Sequence, residues 1–267
     1  MRQAVLVTYE GIYSLPLVEA FLNNPNVEVV KILRSGTIYA NRTGLDGVWF
    51  LLSKSSLFFI VPKFIENLLF HAYRLFLPVS KRPFKTLEEL SLQYGVEVET
   101  VGDINAYPHH QHTGMILFSS YFNQLFSYES LSRYSAAYNI HPAPLPVGRG
   151  LFSQFWLLQN RYETDRYYQT IHEMTDRIDA GQVVMQRSVA ANLDSPSMAD
   201  YMNKVTILGI EMMSRFDFTR QKNVHVPGAQ SYYSFPRFRD VFRFWRSGLR
   251  FMRLRDIGNY FKMGDNR

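Results

Sequence analysis

Short apolar runs alternate with amphipathic stretches along the first 120 residues, and this alternation narrows the fold more than any other feature. Ala4 to Thr8 is an apolar run of the kind found in strands buried on both faces. Ser14 to Leu22 has helical spacing: Ser14 is placed to cap it, Pro16 falls in its first turn, and Val18, Phe21 and Leu22 face inward. Asn23-Asn24-Pro25-Asn26 interrupts the helix, and Val27 to Leu33 reads as a second strand. Thr86-Leu87-Glu88-Glu89 has the form of a capping box, opening a helix that Gly95 should end. Val96 to Val101 and Met115 to Ser119 read as further strands. The pattern predicts an α/β, Rossmann-like fold: a mostly parallel sheet flanked by helices, with ligands at the carboxyl ends of the strands. Tyr9-Glu10-Gly11-Ile12-Tyr13 holds a single glycine, so nothing resembles a dinucleotide fingerprint and nicotinamide binding is not expected.

The stretch Tyr138-Asn139-Ile140-His141-Pro142-Ala143-Pro144-Leu145-Pro146-Val147-Gly148-Arg149-Gly150 carries the chemistry. In a strand Asn139 and His141 emerge on one face. An amide donor beside an imidazole suits a reaction in which a carbonyl oxygen gains negative charge. A later carboxylate, Asp179 in Asp179-Ala180-Gly181, could orient or charge the imidazole. Taken alone, the same residues also describe a strand end with a satisfied histidine and a Pro-rich loop.

Three ordered blocks extend the pattern: Asn139-x-His141-Pro142-x-x-Leu145-Pro146-x-x-x-Gly150, then Thr170-Ile171-His172-Glu173-Met174, then Ile178-Asp179-Ala180-Gly181-Gln182-Val183-Val184. Together they resemble the formyltransferases that use 10-formyltetrahydrofolate, a family spanning glycinamide ribonucleotide, methionyl-tRNA and nucleotide amino-sugar formyltransferases. The core of the match runs from about Met115 to Gln186. The resemblance implies the formyltransferase fold, with 10-formyltetrahydrofolate as co-substrate and Asn139, His141 and Asp179 as the catalytic triad. It implies a folate pocket bordered by Gln124, Leu125 and Phe126, which act largely through their backbone, and by the loop Thr175 to Asp179, including Thr175 and Ile178. It implies that Asn139 and His141 stabilise an oxyanion, and that Asp179 holds His141 and helps relay protons. His172 would support the aspartate's loop or be structural. Tyr167 and Tyr168 stand where relatives often have small residues, a departure that could reshape the pocket floor.

Composition sets the remaining bounds. With 267 residues, 46% of them hydrophobic, the chain can bury a substantial core with room for one appendage. The absence of cysteine excludes disulfides, thiolate nucleophiles and cysteine metal sites. His109-His110-x-His112 has metal-like density, but it follows Tyr107-Pro108 in an expected loop and the reaction needs no metal. The start enters a strand at once, with no signal-peptide-type apolar segment, and no apolar run reaches the roughly 18 residues of a membrane span. A cytoplasmic protein is expected.

Two segments depart from the plain formyltransferase core. The first, about 47–79, is rich in Phe and Leu and reads as a helical insertion that Pro62 divides in two. Phe64, Leu68, Leu75 and either Ala72 or Tyr73 recur at helical spacing. One reading packs this face on the body or at a homodimer interface; the other attaches it to a membrane surface or a hydrophobic acceptor. The second is the tail. Residues 236–267 hold nine Arg or Lys against three Asp, a surplus of six, so the whole net charge of +6 resides there. Arg239, Arg243, Arg246, Arg250 and Arg253 are spaced as one face of a basic amphipathic helix over about 237–255. Phe238, Val241, Phe242, Trp245, Leu249 and Met252 form the apolar stripe opposite, although Gly248 weakens the helix. The tyrosines of Ser231-Tyr232-Tyr233-Ser234-Phe235-Pro236 could line an acceptor pocket.

The expected organisation is a catalytic domain over 1–190 and an extension over 191–267. The extension lacks the regularly spaced strands of a methionyl-tRNA formyltransferase appendage, and no regulatory domain of hydrolase type precedes the first strand. A small-molecule amine acceptor is expected, phosphorylated or nucleotide-linked, such as an amino sugar or a secondary-metabolite amine. Nucleic acid is not the expected partner. The alternatives are a non-catalytic relative that binds membrane or RNA through its tail, and a glycinamide ribonucleotide or methionyl-tRNA type of formyltransferase.

Overall fold

A computed structural model describes residues 1–39, 41–192, 194, 196–218, 224 and 228–264. Five strands run parallel: β1 (Arg2–Thr8), β2 (Val27–Ser35), β3 (Glu97–Val101), β4 (Ile116–Ser120) and β5 (Ala136–His141). Two more, β6 (Arg166–Glu173) and β7 (Val183–Ala190), add on antiparallel, giving the spatial order β3-β2-β1-β4-β5-β6-β7. Ala4 to Val7 on the central strand are wholly inaccessible, as expected for a strand with neighbours on both edges and both faces covered. The predicted strands appear with ends shifted by one or two residues.

Helices α1 (Ser14–Leu22) and α2 (Leu87–Tyr94) also stand where the sequence placed them. Thr86 and Glu89 form the reciprocal capping box, and Gly95 closes α2 with a left-handed φ of 66°. Ser14 does not cap α1. It sits inside the first turn, where its hydroxyl donates to the carbonyls of Tyr9 and Gly11. A long helix after β7, α4 (Met198–Ser214), lies against α1 and buries Val205, Met212 and Met213 in the same core cluster as Leu15, Phe21 and Phe118. Between β5 and β6 comes the short α3 (Ser153–Gln159).

The insertion forms two helices, α5 (Gly44–Lys54) and α6 (Leu57–Phe76), but Pro62 does not divide them. The break falls at Ser55–Ser56, where the Ser56 hydroxyl accepts from the Phe58 N–H and caps α6. Pro62 lies in the second turn of α6, where its missing donor forfeits one helical hydrogen bond without ending the helix. The predicted packing face is also corrected. Phe59 and Phe70 are buried against the body, whereas Phe64, Leu68 and Leu75 are 65%, 57% and 75% exposed.

The tail does not make one helix over 237–255. Helix α7 (Phe238–Arg246) stops before Gly248, whose φ of 81° turns the chain, and a second short helix, α8 (Leu254–Asn259), follows. Arg250 and Arg253 therefore leave the row that Arg239, Arg243 and Arg246 share. The predicted stripe holds in part: Val241 and Leu249 are buried as expected, but Phe238 and Phe242 are exposed and Phe244, outside the stripe, is buried instead. Phe244 joins Phe59, Phe155, Met198, Leu249 and Phe251 in a separate apolar cluster, in which Phe155 and Phe244 stack at 4.6 Å. That cluster ties α6, α3, α4 and the tail together.

Candidate active site

Strand β5 ends at His141, and Asn139 and His141 point to the same side of the sheet, as strand alternation requires. On the neighbouring antiparallel strand His172 is paired with Asn139 in register. The Asn139 amide Nδ2 donates to His172 Nε2 at 3.1 Å, while His172 Nδ1–H donates to the Glu173 carbonyl at 2.7 Å. His172 is thus held between the strand backbone at Nδ1 and the Asn139 amide at Nε2.

Asp179 reaches the pair from the loop between β6 and β7. Its Oδ1 lies 3.6 Å from His141 Nδ1 and 3.5 Å from His172 Nε2, and its Oδ2 accepts from the Gly150 N–H at 2.9 Å. The Asp179 backbone adopts a left-handed φ of 49°, uncommon for a non-glycine residue and held here by its surroundings. Thr175 Oγ1 donates to the Arg177 carbonyl and accepts from its N–H, so 175–177 form a closed turn. The Ile178 carbonyl accepts two bonds from the Arg149 guanidinium, at 2.9 and 3.2 Å. Gly181 is required by space: a Cβ there would lie 1.9 Å from the Glu173 carbonyl oxygen.

The loop after β5 completes the enclosure. His141 Nε2–H donates to the Gly148 carbonyl at 2.7 Å, with the Ser153 hydroxyl 3.3 Å away, so Nδ1 is the open ring nitrogen and faces the carboxylate. Burial drives His141 below the ordinary histidine value, against the opposing pull of Asp179. Burial acts to raise Asp179, but the two imidazoles and the Gly150 N–H outweigh it and hold the carboxyl at about 2. At neutral pH the arrangement is therefore a carboxylate beside a histidine free to take a proton at Nδ1.

Arg149-Gly150 also pairs, in parallel, with Tyr232-Tyr233 of the tail. Gly150 has a φ of 95°, and a Cβ there would meet the Tyr233 carbonyl at 2.3 Å. Tyr233 stacks on Trp156, whose indole N–H donates to the Ser234 carbonyl at 2.8 Å, leaving Tyr232 exposed. Beside Asp179 a cavity of about 340 Å³ is lined by Leu145, Arg149, Gly181, Gln182 and Gln230. A larger cavity, about 380 Å³, lies among Tyr162, Tyr167, Tyr168 and Tyr201 and includes none of Asn139, His141, His172 or Asp179. Chemistry, not size, assigns the site to the smaller one. Tyr167 is buried against Tyr201, with ring centroids 4.3 Å apart.

The residues expected at a folate pocket sit on the loop after β4. Gln124 is turned into the body: its Oε1 accepts from the Ile104 N–H at 2.8 Å and its Nε2 donates to Ser35 Oγ at 3.0 Å. Phe126 is buried, and only the Leu125 side chain is exposed. What Gln124 and Phe126 can offer a ligand is thus backbone. Ser120 Oγ and Asn123 Oδ1 are buried there without a hydrogen-bond partner among the described residues. Such a loop fits a heterocycle rich in donors and acceptors. His109 is structural. It donates Nε2–H to the Ile104 carbonyl at 2.7 Å and accepts at Nδ1 from the Tyr134 hydroxyl at 2.8 Å. His172, Ser153 and the Gly148 carbonyl join the site through pairings across strands and loops; of these only His172 was singled out in the sequence.

No family model matches the chain. Solved structures do share its fold. An N-formyltransferase from Helicobacter canadensis, in complex with folinic acid and dTDP-3-aminofucose, superposes with a TM-score of 0.53 at 14% identity, over 88% of this chain and 71% of that one. A sugar N-formyltransferase from a Shewanella species gives 0.55 at 14% identity, over 98% and 87%. Glycinamide ribonucleotide transformylase 1 from Symbiobacterium toebii gives 0.52 at 17% identity, over 88% and 94%. At these identities the likeness is one of fold, and the fold is the one that formyltransferases have.

Proposed function

We propose that the chain belongs to the 10-formyltetrahydrofolate-dependent formyltransferases and transfers a formyl group to the amine of a small, nucleotide-linked acceptor, with an amino sugar as the first choice. The observation that carries this reading is the convergence of Asp179 on His141 and His172, at 3.6 and 3.5 Å, beside the Asn139 amide. The folate supplies the formyl group on N10 when bound. Loop residues 120–126 and 175–178 would hold it, through backbone groups and the unpartnered Ser120 and Asn123 oxygens.

The chain's own residues then have separable tasks. Asn139 Nδ2 donates to the oxygen on which charge develops, in a site dry enough to make that bond count. His141 accepts a proton at Nδ1, the nitrogen not committed to Gly148, as the attacking amine loses one. Asp179 stabilises the resulting imidazolium from 3.6 Å. Arg149 fixes the Asp179 loop and, together with Gln230, lines the cavity where an acceptor would lie. The Helicobacter canadensis enzyme of the same fold was solved with dTDP-3-aminofucose, which supports a nucleotide-linked amine.

The test is direct. Purified protein is incubated with 10-formyltetrahydrofolate and a panel of amines that includes dTDP-linked amino sugars, and tetrahydrofolate release is followed. Release that requires an amine is expected. Release with no amine would assign hydrolysis, and no release with any amine would overturn the reading.

A further inference from the structure

Helix α6 has two apolar faces. Phe59 and Phe70, eleven residues and three turns apart, are buried against the body. At about 100° per residue, Leu57, Val61, Phe64, Leu68 and Leu75 fall on the opposite side, and all five are exposed. On α5, Leu45, Trp49 and Leu52 repeat the pattern, with Trp49 70% exposed. The apolar surface continues onto the tail: Phe58 at the start of α6 lies 5.7 Å from Phe238, which stacks on Phe242 at 6.3 Å. Solitary exposed apolar side chains are ordinary, but exposed apolar rows along two successive helices are not.

A row of cations edges this strip. On α7, Arg239, Arg243 and Arg246 follow the exposed Phe238 and Phe242 around the helix, and the Arg246 guanidinium sits 5.8 Å over the Phe242 ring. Asp240, the one carboxylate of α7, is committed to Arg243 at 2.8 Å and to the Arg237 N–H. Arg239 and Arg246 have no carboxylate within ion-pair distance among the described residues. An apolar strip bordered by arginines matches the boundary between acyl chains and anionic headgroups, where apolar burial and charge attraction add. A second copy of the chain would bring the same arginines and, from α7, a single carboxylate, Asp240, already committed to Arg243. No helix among the described residues is long and apolar enough to cross a membrane, so contact would be in the interfacial plane.

We propose that the outer faces of α5, α6 and α7 form a docking surface for an anionic phospholipid bilayer. The proposal is independent of the reaction assigned above. Its test is flotation of the full chain with phosphatidylcholine vesicles and with vesicles also containing phosphatidylglycerol, at low and high salt. Wild type is expected to float with the anionic vesicles only, and less at high salt. A Phe64→Asn, Leu68→Asn double variant and an Arg239→Ala, Arg246→Ala double variant are each expected to lower partitioning by about tenfold or more. Unchanged circular dichroism confirms that both variants fold. Failure to float, equal flotation with both lipid mixtures, or variants that partition like wild type would each overturn the proposal. So would a stable dimer in sedimentation, dispersed by the Phe64 and Leu68 changes, with no lipid binding.

Discussion

At the scale of single residues, the site divides its labour by environment. Asn139 keeps its donor beside His172, so loss of the amide should remove transition-state stabilisation without opening a core cavity. Asn139→Ala is expected to lower kcat by about 10²–10³ and to cost about 1–3 kcal/mol of stability by leaving buried His172 Nε2 without its donor, measured by single-turnover kinetics and urea titration. His141, depressed by burial, must be unprotonated to accept a proton, so turnover should fall on the acid side below the ordinary histidine value of about 6.5. Asp179→Asn removes the group that opposes this depression. It should lower kcat and move the acid limb of the kcat profile to still lower pH. Stability follows the same sign. Asp179 is held at about 2, below its unfolded value, so its contribution is present above about pH 4 and is lost as pH falls toward 2. Wild type should exceed Asp179→Asn by about 2 kcal/mol at neutral pH, a gap that closes by pH 2 in urea unfolding. The pair Asn139 and His141 was legible in the sequence because strand alternation alone puts both on one face. The use of His141 Nε2 was not, since it depends on where the Gly148 carbonyl ends up after three prolines.

At the scale of elements, the strands and first helices were legible because their signals are local: an apolar run, a capping box, a glycine at a helix end. The inward face of α6 was not. Its helix carries two apolar stripes, and periodicity cannot say which of two equivalent faces meets the body; Phe59 and Phe70 do so because Phe155 and Phe84 stand opposite them. The split of the tail at Gly248 was hinted at by glycine alone, against five arginines in helical register. The two-residue pairing of Arg149-Gly150 with Tyr232-Tyr233 is too short to have a sequence signature. It nonetheless positions the Gly150 N–H that binds Asp179. Gly150→Ala should push that strand away from the Tyr233 carbonyl, costing about 1–3 kcal/mol in stability and most of the activity. Thermal unfolding and turnover measured on the same preparation check this.

At the scale of the whole molecule, the tail and insertion are built into the body. The Ser197 hydroxyl donates to buried Asp256 at 2.6 Å, and the N–H groups of Met198 and Ala199 donate to the carbonyls of Arg250 and Phe251. With Phe59, Phe155 and Phe244 in one cluster, α6, α3 and α7 should unfold together. Phe244→Ala is expected to cost about 3–5 kcal/mol and to make the cluster's helices accessible to limited proteolysis, while β1 to β4 stay protected until global unfolding. The central sheet was legible from the sequence; this separate cluster was not, because its aromatics come from three distant segments, α6, α3 and the tail.

The pairing of residues 149–150 with 232–233 has a consequence during synthesis. The sheet, Asn139, His141 and Asp179 all leave the ribosome before the segment that pins the Gly150 loop. A nascent chain arrested before Tyr232 should therefore contain a folded sheet and all three candidate catalytic side chains, yet remain inactive until the tail emerges and closes the site.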